Sequence, residues 1–480
     1  MSSELSRTEL SCLITHKKGF AFKSKDYIPS GVPVVRVSNF TWDSISTDDL
    51  RYVSHEVASS TKVVQLNEYD VIVATVGSWP QNPDSIVGKV VRVPCPLSGA
   101  LLNQNTVRLR VNDDNLVNQK YLYIALKTKE FSDHLISKAQ GSANQASITL
   151  SDIFSYAIPW GTYTQRKYIV NVIDSINDKI VIANQINQTL EQMAQALFKS
   201  WFVDFEPVKA KIAVLEAGGS QEDATRAAMT TISGKDADAL AFFEREHPAQ
   251  YAELKATAEL FPSAMKNSEV GAIPEGWSVA SISEMGKVTC GKTPSKKEPE
   301  YFGDDIPFIK IPDMHGQLFV LKTNEYLSAA GSNSQLKKLV PANSICVSCI
   351  ATIGVVSITN EPSHTNQQIN SVTPYKSSLL YYLYFSMLGL KDYLHVLGSA
   401  GSATLNVNTS TFSGIKIAQP DDKVLELFHA KCTHLFNEIK SLSVQTESLT
   451  QLRDTLLPKL LSGEITLPEA EQVVSEAENV

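Results

Sequence analysis

The chain has 480 residues, with 43 Lys and Arg against 51 Asp and Glu, and 43% of its residues are apolar. This composition excludes collagen-like chains and wholesale disorder, and the length suggests roughly three domains. No apolar run approaches the ~18 residues needed to cross a bilayer, and the first residues lack the pattern of a signal peptide. We therefore expect a cytoplasmic protein without membrane contact, whose six scattered Cys are reduced thiols.

The net charge of −8 is unevenly distributed along the chain. Residues 203–276 carry a net charge of −6 and residues 464–480 a net charge of −5, whereas residues 1–202 carry +2 and residues 277–463 carry +1. The two long blocks are therefore slightly basic. Such a charge permits a nucleic-acid partner without requiring one.

The two long blocks repeat the same short segments in the same order. The matched segments are 31–40 with 305–314, 102–107 with 365–368, and 141–149 with 401–408, preceded by Tyr27 and Tyr301. Their offsets shrink from 274 to 263 to 260, as loops of different length would require. The first pair of segments predicts a buried strand that carries one basic residue, Arg36 or Lys310. The ordered matches indicate a duplicated domain.

Each block ends in a long stretch of helical periodicity. Between Ile169 and Trp201 the apolar positions alternate at spacings of four and three, which is typical of a coiled-coil seam, and residues 428–460 hold the same register. Asn187 and Thr446 share one polar seam position, which fixes register at a cost in stability. The common register favours pairing of the two helices, and packing of each helix on its own domain is the alternative. The predicted seam comprises Ile173, Ile176, Ile180, Asn187, Leu190, Leu197, Cys432, Leu435, Ile439, Leu442, Thr446, Leu449 and Leu456.

These signals predict an α+β chain in which two similar α/β domains are separated by two long coiled-coil helices, in a pseudo-two-fold arrangement. A helix of 35–40 residues would be ~55–60 Å long. The predicted parts are a first domain at 1–162, a helix at 163–207, a linker with short helices at 208–276, a second domain at 277–420, a helix at 421–463 and an acidic tail at 464–480.

The motifs of several enzyme classes are missing or misplaced. Residues 286–293 fit the P-loop pattern, but Pro294 and Pro299 oppose the helix that a phosphate-binding loop requires. The chain has no Pro-Pro dipeptide for a DNA methyltransferase motif, and no G-x-S-x-G elbow. A Ser-His-Asp or Cys-His site stays open, although the nine His form no motif. Cys346 and Cys349 form a lone C-x-x-C, so we predict no zinc site. None of these patterns predicts a catalytic residue.

The remaining signals suit nucleic-acid binding. Lysines cluster with aromatic residues before the first matched strand of each block, as in surfaces that contact phosphates. Amide side chains in the other matched segments can pair with adenine edges in a major groove. For any single residue, a solvated loop or a capped turn is the alternative. The candidate DNA-binding residues are Lys17, Lys18, Lys23, Lys25, Arg36, Asn103, Gln104, Asn144, Gln145, Lys292, Lys296, Lys297, Lys310, Asn366, Gln367, Asn406 and Asn408.

Several longer stretches carry a family resemblance. They are 197–207 at the end of the first helix, 260–263 with 271–277 before the second domain, 293–295 with 301–303 and 306–308 inside it, and 456–464 at the end of the second helix. In these stretches, and in its layout over roughly residues 10–465, the chain resembles the specificity subunit of Type I restriction–modification systems.

The resemblance implies a function for each part. Two target-recognition domains would each read one half of an asymmetric, interrupted site in double-stranded DNA, the first domain the 5′ half and the second the 3′ half. The two helices would pair antiparallel, set the spacer between the half-sites and dock two methyltransferase subunits, which two restriction and translocase subunits join for cleavage. The chain itself would be no enzyme and hold no cofactor, since S-adenosylmethionine, ATP and Mg²⁺ would belong to its partners. The competing hypotheses are a stand-alone enzyme and a tandem-repeat adaptor that binds a partner other than DNA.

Overall fold

The computed structural model describes residues 5–41, 44–79, 87–142, 145–399 and 405–465. The chain divides into two compact units, the first formed by residues 1–182 with 445–480 and the second by residues 183–444. Each unit contains one α/β domain and part of each long helix. Within the described ranges, no helix combines the length and apolar character needed to cross a membrane.

The first domain is built from short strands. They are β1 (Arg7–Glu9), β2 (Ile14–Lys18), β3 (Tyr27–Ile28), β4 (Val32–Val35), β5 (Arg51–Val53), β6 (Val71–Ala74), β7 (Val76–Gly77), β8 (Val90–Arg92), β9 (Leu101–Leu102), β10 (Thr106–Val111), β11 (Gln140–Ser142), β12 (Gln145–Ser147) and β13 (Ala157–Pro159). Its helices are α1 (His55–Ser60), α2 (Leu116–Leu126), α3 (Lys129–Lys138) and α4 (Leu150–Phe154). The first long helix, α5 (Tyr163–Phe198), follows directly.

Two sheets form the framework of this domain. An antiparallel sheet has the order β2-β10-β6-β8, and a second sheet has the order β3-β5-β4-β9, in which β4 and β9 are parallel. The apolar run that predicted a buried strand is β4, where Val34 and Val35 are fully buried. In β10, Val107, Leu109 and Val111 alternate into the core, as expected for a strand with one covered face.

A compact group of helices follows α5. A π-helical turn covers Lys199–Val203, and the next helices are α6 (Glu206–Glu216), α7 (Gln221–Ser233), α8 (Ala237–Glu246) and α9 (Pro248–Glu259). The sequence predicts a linker with short helices here. The structure shows that α7, α8 and α9 share a small core of Ala228, Met229, Leu240 and Ala258, so their small side chains allow close packing.

The second domain repeats the strand order of the first. Its strands are β14 (Met265–Ser268), β15 (Gly271–Pro274), β16 (Ser278–Ser281), β17 (Gly286–Cys290), β18 (Phe302–Gly303), β19 (Ile306–Ile309), β20 (Phe319–Val320), β21 (Tyr326–Leu327), β22 (Ile345–Ser348), β23 (Val356–Thr359), β24 (His364–Thr365), β25 (Ile369–Pro374) and β26 (Lys416–Gln419). Its helices are α10 (Ile282–Met285), α11 (Ile311–Met314), α12 (Ala329–Ser334), α13 (Leu380–Gly389), α14 (Lys391–Ser399) and α15 (Thr409–Ser413), before the second long helix, α16 (Asp422–Ser462).

The two domains share their strand register as well as their order. The sheet β17-β25-β22-β23 corresponds to β2-β10-β6-β8, with β20 added at one edge. The parallel pair β19–β24 corresponds to β4–β9, because Phe308 lies opposite His364 as Val34 lies opposite Leu101. Phe308 follows Val34 by 274 positions and His364 follows Leu101 by 263, which are the offsets of the matched sequence segments. The duplication inferred from short sequence matches is therefore a duplication of fold.

The long helices pair with each other. In the second unit they run antiparallel, since the Asn187 side-chain amide donates to the Ser443 hydroxyl at 3.0 Å and the Phe198 ring lies 6.2 Å from that of Phe428. In the first unit the Arg453 guanidinium donates to the Asn177 side-chain oxygen at 3.1 Å. Every predicted seam residue is buried or half-buried.

The helices also enter the cores of the domains. Ile173, Ile176 and Leu456 belong to the apolar core of the first domain, and Phe428 and Cys432 belong to that of the second. The predicted pairing of the two helices is therefore present, whereas two independent helices, the alternative, are not observed. The paired helices also contribute side chains to the domain cores.

Candidate nucleic-acid interface

The repeated sequence segments meet through backbone hydrogen bonds in the first domain. The peptide N–H of Asn103 donates to the carbonyl of Val35 at 3.0 Å, and that of Thr75 donates to the carbonyl of Asn105 at 2.9 Å. The N–H of Ile148 then donates to the carbonyl of Thr75 at 3.0 Å. Segments far apart in sequence are thereby joined at one place.

The second domain repeats these three bonds. Asn366 donates to Ile309 at 3.1 Å, Cys349 to Gln368 at 2.8 Å, and Val407 to Cys349 at 2.9 Å. The last pair shows that the third repeated segment is displaced by 259 positions at Ile148, one fewer than the sequence match at Gly141 indicates. The equivalent of that glycine, and the predicted residue Asn144, lie outside the described residues.

A glycine joins the basic residues to the amide residues in each domain. A Cβ on Gly19 would lie 1.9 Å from the carbonyl oxygen of Asn103, and a Cβ on Gly291 would lie 2.2 Å from that of Asn366. We call residues 17–25 and 291–297 the basic segments, and residues 103–105 and 366–368 the amide turns. Only glycine permits this close approach of each basic segment to its amide turn. Gly291 therefore serves backbone packing, and no helix follows it as a P-loop requires.

The lysines of the basic segments have no carboxylate partner among the described residues. Lys17 is half-exposed, and Lys18, Lys23, Lys25, Lys292, Lys296 and Lys297 are exposed. Among the described residues, none of these ammonium groups lies within ion-pair distance of a carboxylate. Phe20, which is 44% exposed, stands beside them with its ring 5.0 Å from that of Phe22. Unpaired cations beside an exposed aromatic ring are suited to a polyanion.

Arg36 and Lys310 differ from the other predicted cations. Arg36 donates to the carbonyl of Asp49 at 2.8 Å and forms an ion pair with its carboxylate at 3.2 Å. Lys310 forms an ion pair with Glu325 and lies over the Phe308 ring. These equivalent residues hold neighbouring loops within their domains, and their charges are already balanced.

The predicted amide residues fall into two groups. Asn366 is 7% exposed and donates to the Gln368 side-chain oxygen at 2.9 Å, while Asn408 caps α15 by accepting from the peptide N–H of Thr411 at 2.9 Å. Thr149 caps α4 in the equivalent place, so Asn408 has a local structural role. Asn103 is half-buried. The exposed amides are Gln104, Gln145, Gln367 and Asn406.

Two further side chains bond to residues near the candidate amides, and neither was predicted to do so. The Thr293 hydroxyl donates to the Gln367 side-chain oxygen at 2.7 Å, and the Trp79 indole N–H donates to the carbonyl of Ser142 at 2.8 Å. Thr293 is the last residue of the P-loop-like match, but its hydroxyl bonds to an amide side chain of the same domain. Trp79 follows β7, whose pairing with β12 only the fold reveals.

The cysteines form no chemical centre in the part of the chain that the structure describes. Cys346 and Cys349 lie in and beside β22, and burial raises the pKa of each thiol to about 11. Neither is poised as a thiolate at neutral pH. In the same described ranges, no group of three or more His, Cys, Asp or Glu is placed to hold a metal ion.

Comparison with known proteins identifies the family of this chain. The model of the Type I restriction modification DNA specificity domain matches residues 8–192 and 274–424. The Type I restriction enzyme HindI specificity subunit of Haemophilus influenzae is 45% identical over 359 residues, covering 73% of this chain and 78% of that protein. The chain belongs to the Type I specificity family. Its amide turns and both long helices lie within or overlap the matched ranges.

Other members of the Type I specificity family are more distant. The Type I restriction enzyme MjaIX specificity subunit of Methanocaldococcus jannaschii is 22% identical, with 74% of this chain and 71% of that protein covered. The crystal structure of a Type I restriction–modification S subunit from M. genitalium covers 96% of both chains with a TM-score of 0.50 at 14% identity, which shows a shared fold of two domains and linking helices. These relatives give no support to the adaptor alternative. The core of the helical group α7–α9 lies outside the family match.

Proposed function

We propose that this chain is the DNA-sequence-specificity subunit of a Type I restriction–modification complex. Each domain reads one half of a bipartite, asymmetric site, the first domain the 5′ half and the second the 3′ half. The observation that carries the proposal is the duplicated framework, in which a basic segment packs against an amide turn through matching hydrogen bonds. Two similar frameworks with different exposed side chains suit two half-sites of different sequence.

We assign different DNA contacts to the exposed lysines and to the exposed amides. The unpaired lysines of the basic segments contact phosphates, which supplies affinity that falls as salt rises. The exposed amides contact base edges, since Asn and Gln can bond adenine through two atoms at once. We take the exposed amides Gln104, Gln145, Gln367 and Asn406 as the base-contacting residues. Asn366 and Asn408 are set aside because their side chains bond to neighbouring backbone groups.

The long helices set the spacer and dock two methyltransferase subunits. A 36-residue helix such as α5 is ~54 Å long, so its length can fix a gap between half-sites. Ile186 and Met193 are 41% and 55% exposed and lie two turns apart on one face of α5. We assign this apolar face to a partner subunit. Asp at both positions should abolish co-purification of the methyltransferase, whereas the control Gln195→Asp should leave it intact.

Chemistry resides in the partners. We assign methyl transfer with S-adenosylmethionine to the two methyltransferase subunits, and cleavage with ATP and Mg²⁺ to two restriction and translocase subunits. In this division the chain has no catalytic activity and needs no cofactor of its own. Because the proposed ligand is double-stranded DNA, we expect the complex in the cytoplasm.

One experiment tests the proposal directly. The chain is co-expressed with its methyltransferase partner in a host without DNA methylation, the co-purified complex is confirmed, and N6-methyladenine is mapped by sequencing. A two-part motif with a fixed gap supports the proposal. Absence of any motif from a complex that binds S-adenosylmethionine would overturn it, as would DNA affinity that does not change with salt.

A further inference from the structure

A chain of buried polar side chains lies beneath the basic segment of the second domain. His364 in β24 contacts the Ser332 hydroxyl through Nε2 at 2.9 Å and the Gln335 side-chain nitrogen through Nδ1 at 3.4 Å. All three are more than nine-tenths buried. The amide nitrogen of Gln335 can only donate, so Nδ1 accepts and the ring proton sits on Nε2, where it is donated to Ser332. Burial lowers the pKa of His364, which favours this neutral ring.

The buried polar side chains are hydrogen-bonded to the backbone of the basic segment through Gln335. Gln335 also donates to the carbonyl of Lys292 at 3.0 Å. The N–H of Lys292 donates to the carbonyl of Thr365, the residue after His364, at 2.9 Å. The peptide groups on both sides of Lys292 are thus fixed from the protein interior. The next residue, Thr293, is held by the same backbone, and its hydroxyl donates to the Gln367 side-chain oxygen.

The first domain has no such chain at the equivalent positions. Leu101, which matches His364 in strand register, is buried and apolar. Ser54 and Ser328 cap α1 and α12 in the same way, so Ala58 takes the place of Ser332. The same fold therefore forms without these polar groups.

The polar chain is not optimised for stability. The side-chain oxygens of Gln335 and Thr365 are buried and find no partner among the described residues. A buried acceptor without a donor costs stability, and an apolar set such as that around Leu101 would avoid the cost. A costly feature present in one domain only points to a role in what that domain recognises.

We infer that Ser332, Gln335 and His364 are positioning residues that determine the specificity of the second domain without touching DNA. They hold the Lys292–Thr293 backbone so that Gln367 presents its amide in one orientation. The inference rests on the proposed function, because it requires that Gln367 contacts a base. It assigns to the second domain an internal means of orienting its amide turn that the equivalent positions of the first domain lack.

The test uses two variants, one among the buried polar side chains and one at the surface. Gln335→Met keeps the side-chain volume but removes the donor to Lys292, and Thr293→Val removes the surface link to Gln367 without disturbing the core. Each variant is co-expressed with the methyltransferase partner, and methylated sites are sequenced. The matched control is Thr61→Val in the first domain, which occupies the place of Gln335 but bonds only to its own helix at Val57 and Ala58.

We expect both variants to relax the same single half-site, with discrimination at one or more of its bases reduced about tenfold. The other half-site, the gap and the control should be unchanged. Unchanged motifs in both variants, or relaxation of different half-sites, would overturn the inference. Equal loss of methylation at every site, with the motif intact, would also overturn it by indicating a purely structural role. A wild-type complex without a bipartite motif would instead contradict the proposed function itself.

Discussion

The side-chain amide of Asn187 donates to the hydroxyl of Ser443 across the helix pair, and Ser443 in turn donates to the carbonyl of Ile439 at 2.7 Å. The other atom of the Asn187 amide, its oxygen, is buried without a partner among the described residues. This polar contact specifies helix register and lowers stability at the same time.

Asn187→Leu should therefore stabilise the chain. The change removes an unsatisfied acceptor and adds apolar contact, while Ser443 keeps its own backbone acceptor. We expect a gain of about 1 kcal/mol, seen as a rise of a few degrees in the midpoint of thermal unfolding. A lower midpoint would show that the amide oxygen has a partner in solution.

The ion pair between Arg110 and Asp70 should be essential to the first domain. Two hydrogen bonds of 2.5 and 2.6 Å join the groups, and the Asp70 side chain is 3% exposed. Arg110→Met leaves a buried carboxylate without a cation, at a cost of about 3 kcal/mol. Denaturant unfolding measures the loss, and Asp70→Asn in the same chain should recover part of it. The exposed pair Arg7–Glu130 is the control, since Arg7→Met should cost less than ~1 kcal/mol.

Gly19→Ala and Gly291→Ala should each disable one half-site. The added methyl group would overlap the carbonyl oxygen of Asn103 or Asn366, so the basic segment and the amide turn must separate. Sequencing of methylated sites should show each variant losing discrimination in a different half of the motif. Gly389→Ala is the control, because a Cβ there meets no atom within 4 Å. Loss of the same half in both variants would contradict the assignment of one half-site to each domain.

The lysines of the second basic segment should supply affinity without sequence preference. Replacement of Lys292, Lys296 and Lys297 by Ala should weaken DNA binding at low salt and reduce the slope of log affinity against log salt by about 3. The motif itself should not change. Lys129→Ala provides the control, since that lysine is already paired with Asp133 at 2.6 Å. An altered motif would mean that at least one of these lysines reads a base.

The buried His364 should make the stability of the second domain depend on pH. Its pKa is lowered by burial, whereas in the unfolded chain it lies near 6.5. Below pH 6.5 the unfolded state therefore takes up a proton that the folded state refuses, and stability falls until the folded pKa is reached. Unfolding midpoints between pH 5 and 8 should decline less steeply at the acidic end in His364→Leu. The half-buried His429, whose pKa is also lowered by burial, accounts for the decline that remains.

The sequence predicted the architecture better than the individual contacts. Short matches such as Val34 with Phe308 can be recognised because both residues lie in equivalent buried strands, which require apolar side chains. The seam of α5 can be recognised because its apolar residues recur with a regular period. The roles of Arg36 and Lys310 were not visible, because Asp49 and Glu325 approach them only in the folded domain. The capping role of Asn408 depends on where α15 begins. His364 looked like an isolated histidine until β24 placed it beside Ser332 and Gln335.

The division of the chain into units has a consequence for its synthesis. The second unit is one continuous stretch, residues 183–444, whereas the first also contains the last part of α16, from residue 445 onwards. Leu449, Leu456 and Leu460 fill the core of the first domain, yet the ribosome makes them some three hundred residues after that domain. The first domain must therefore wait, with an unfilled core, until the second unit has emerged. A prematurely terminated chain would therefore not contain a stable first domain.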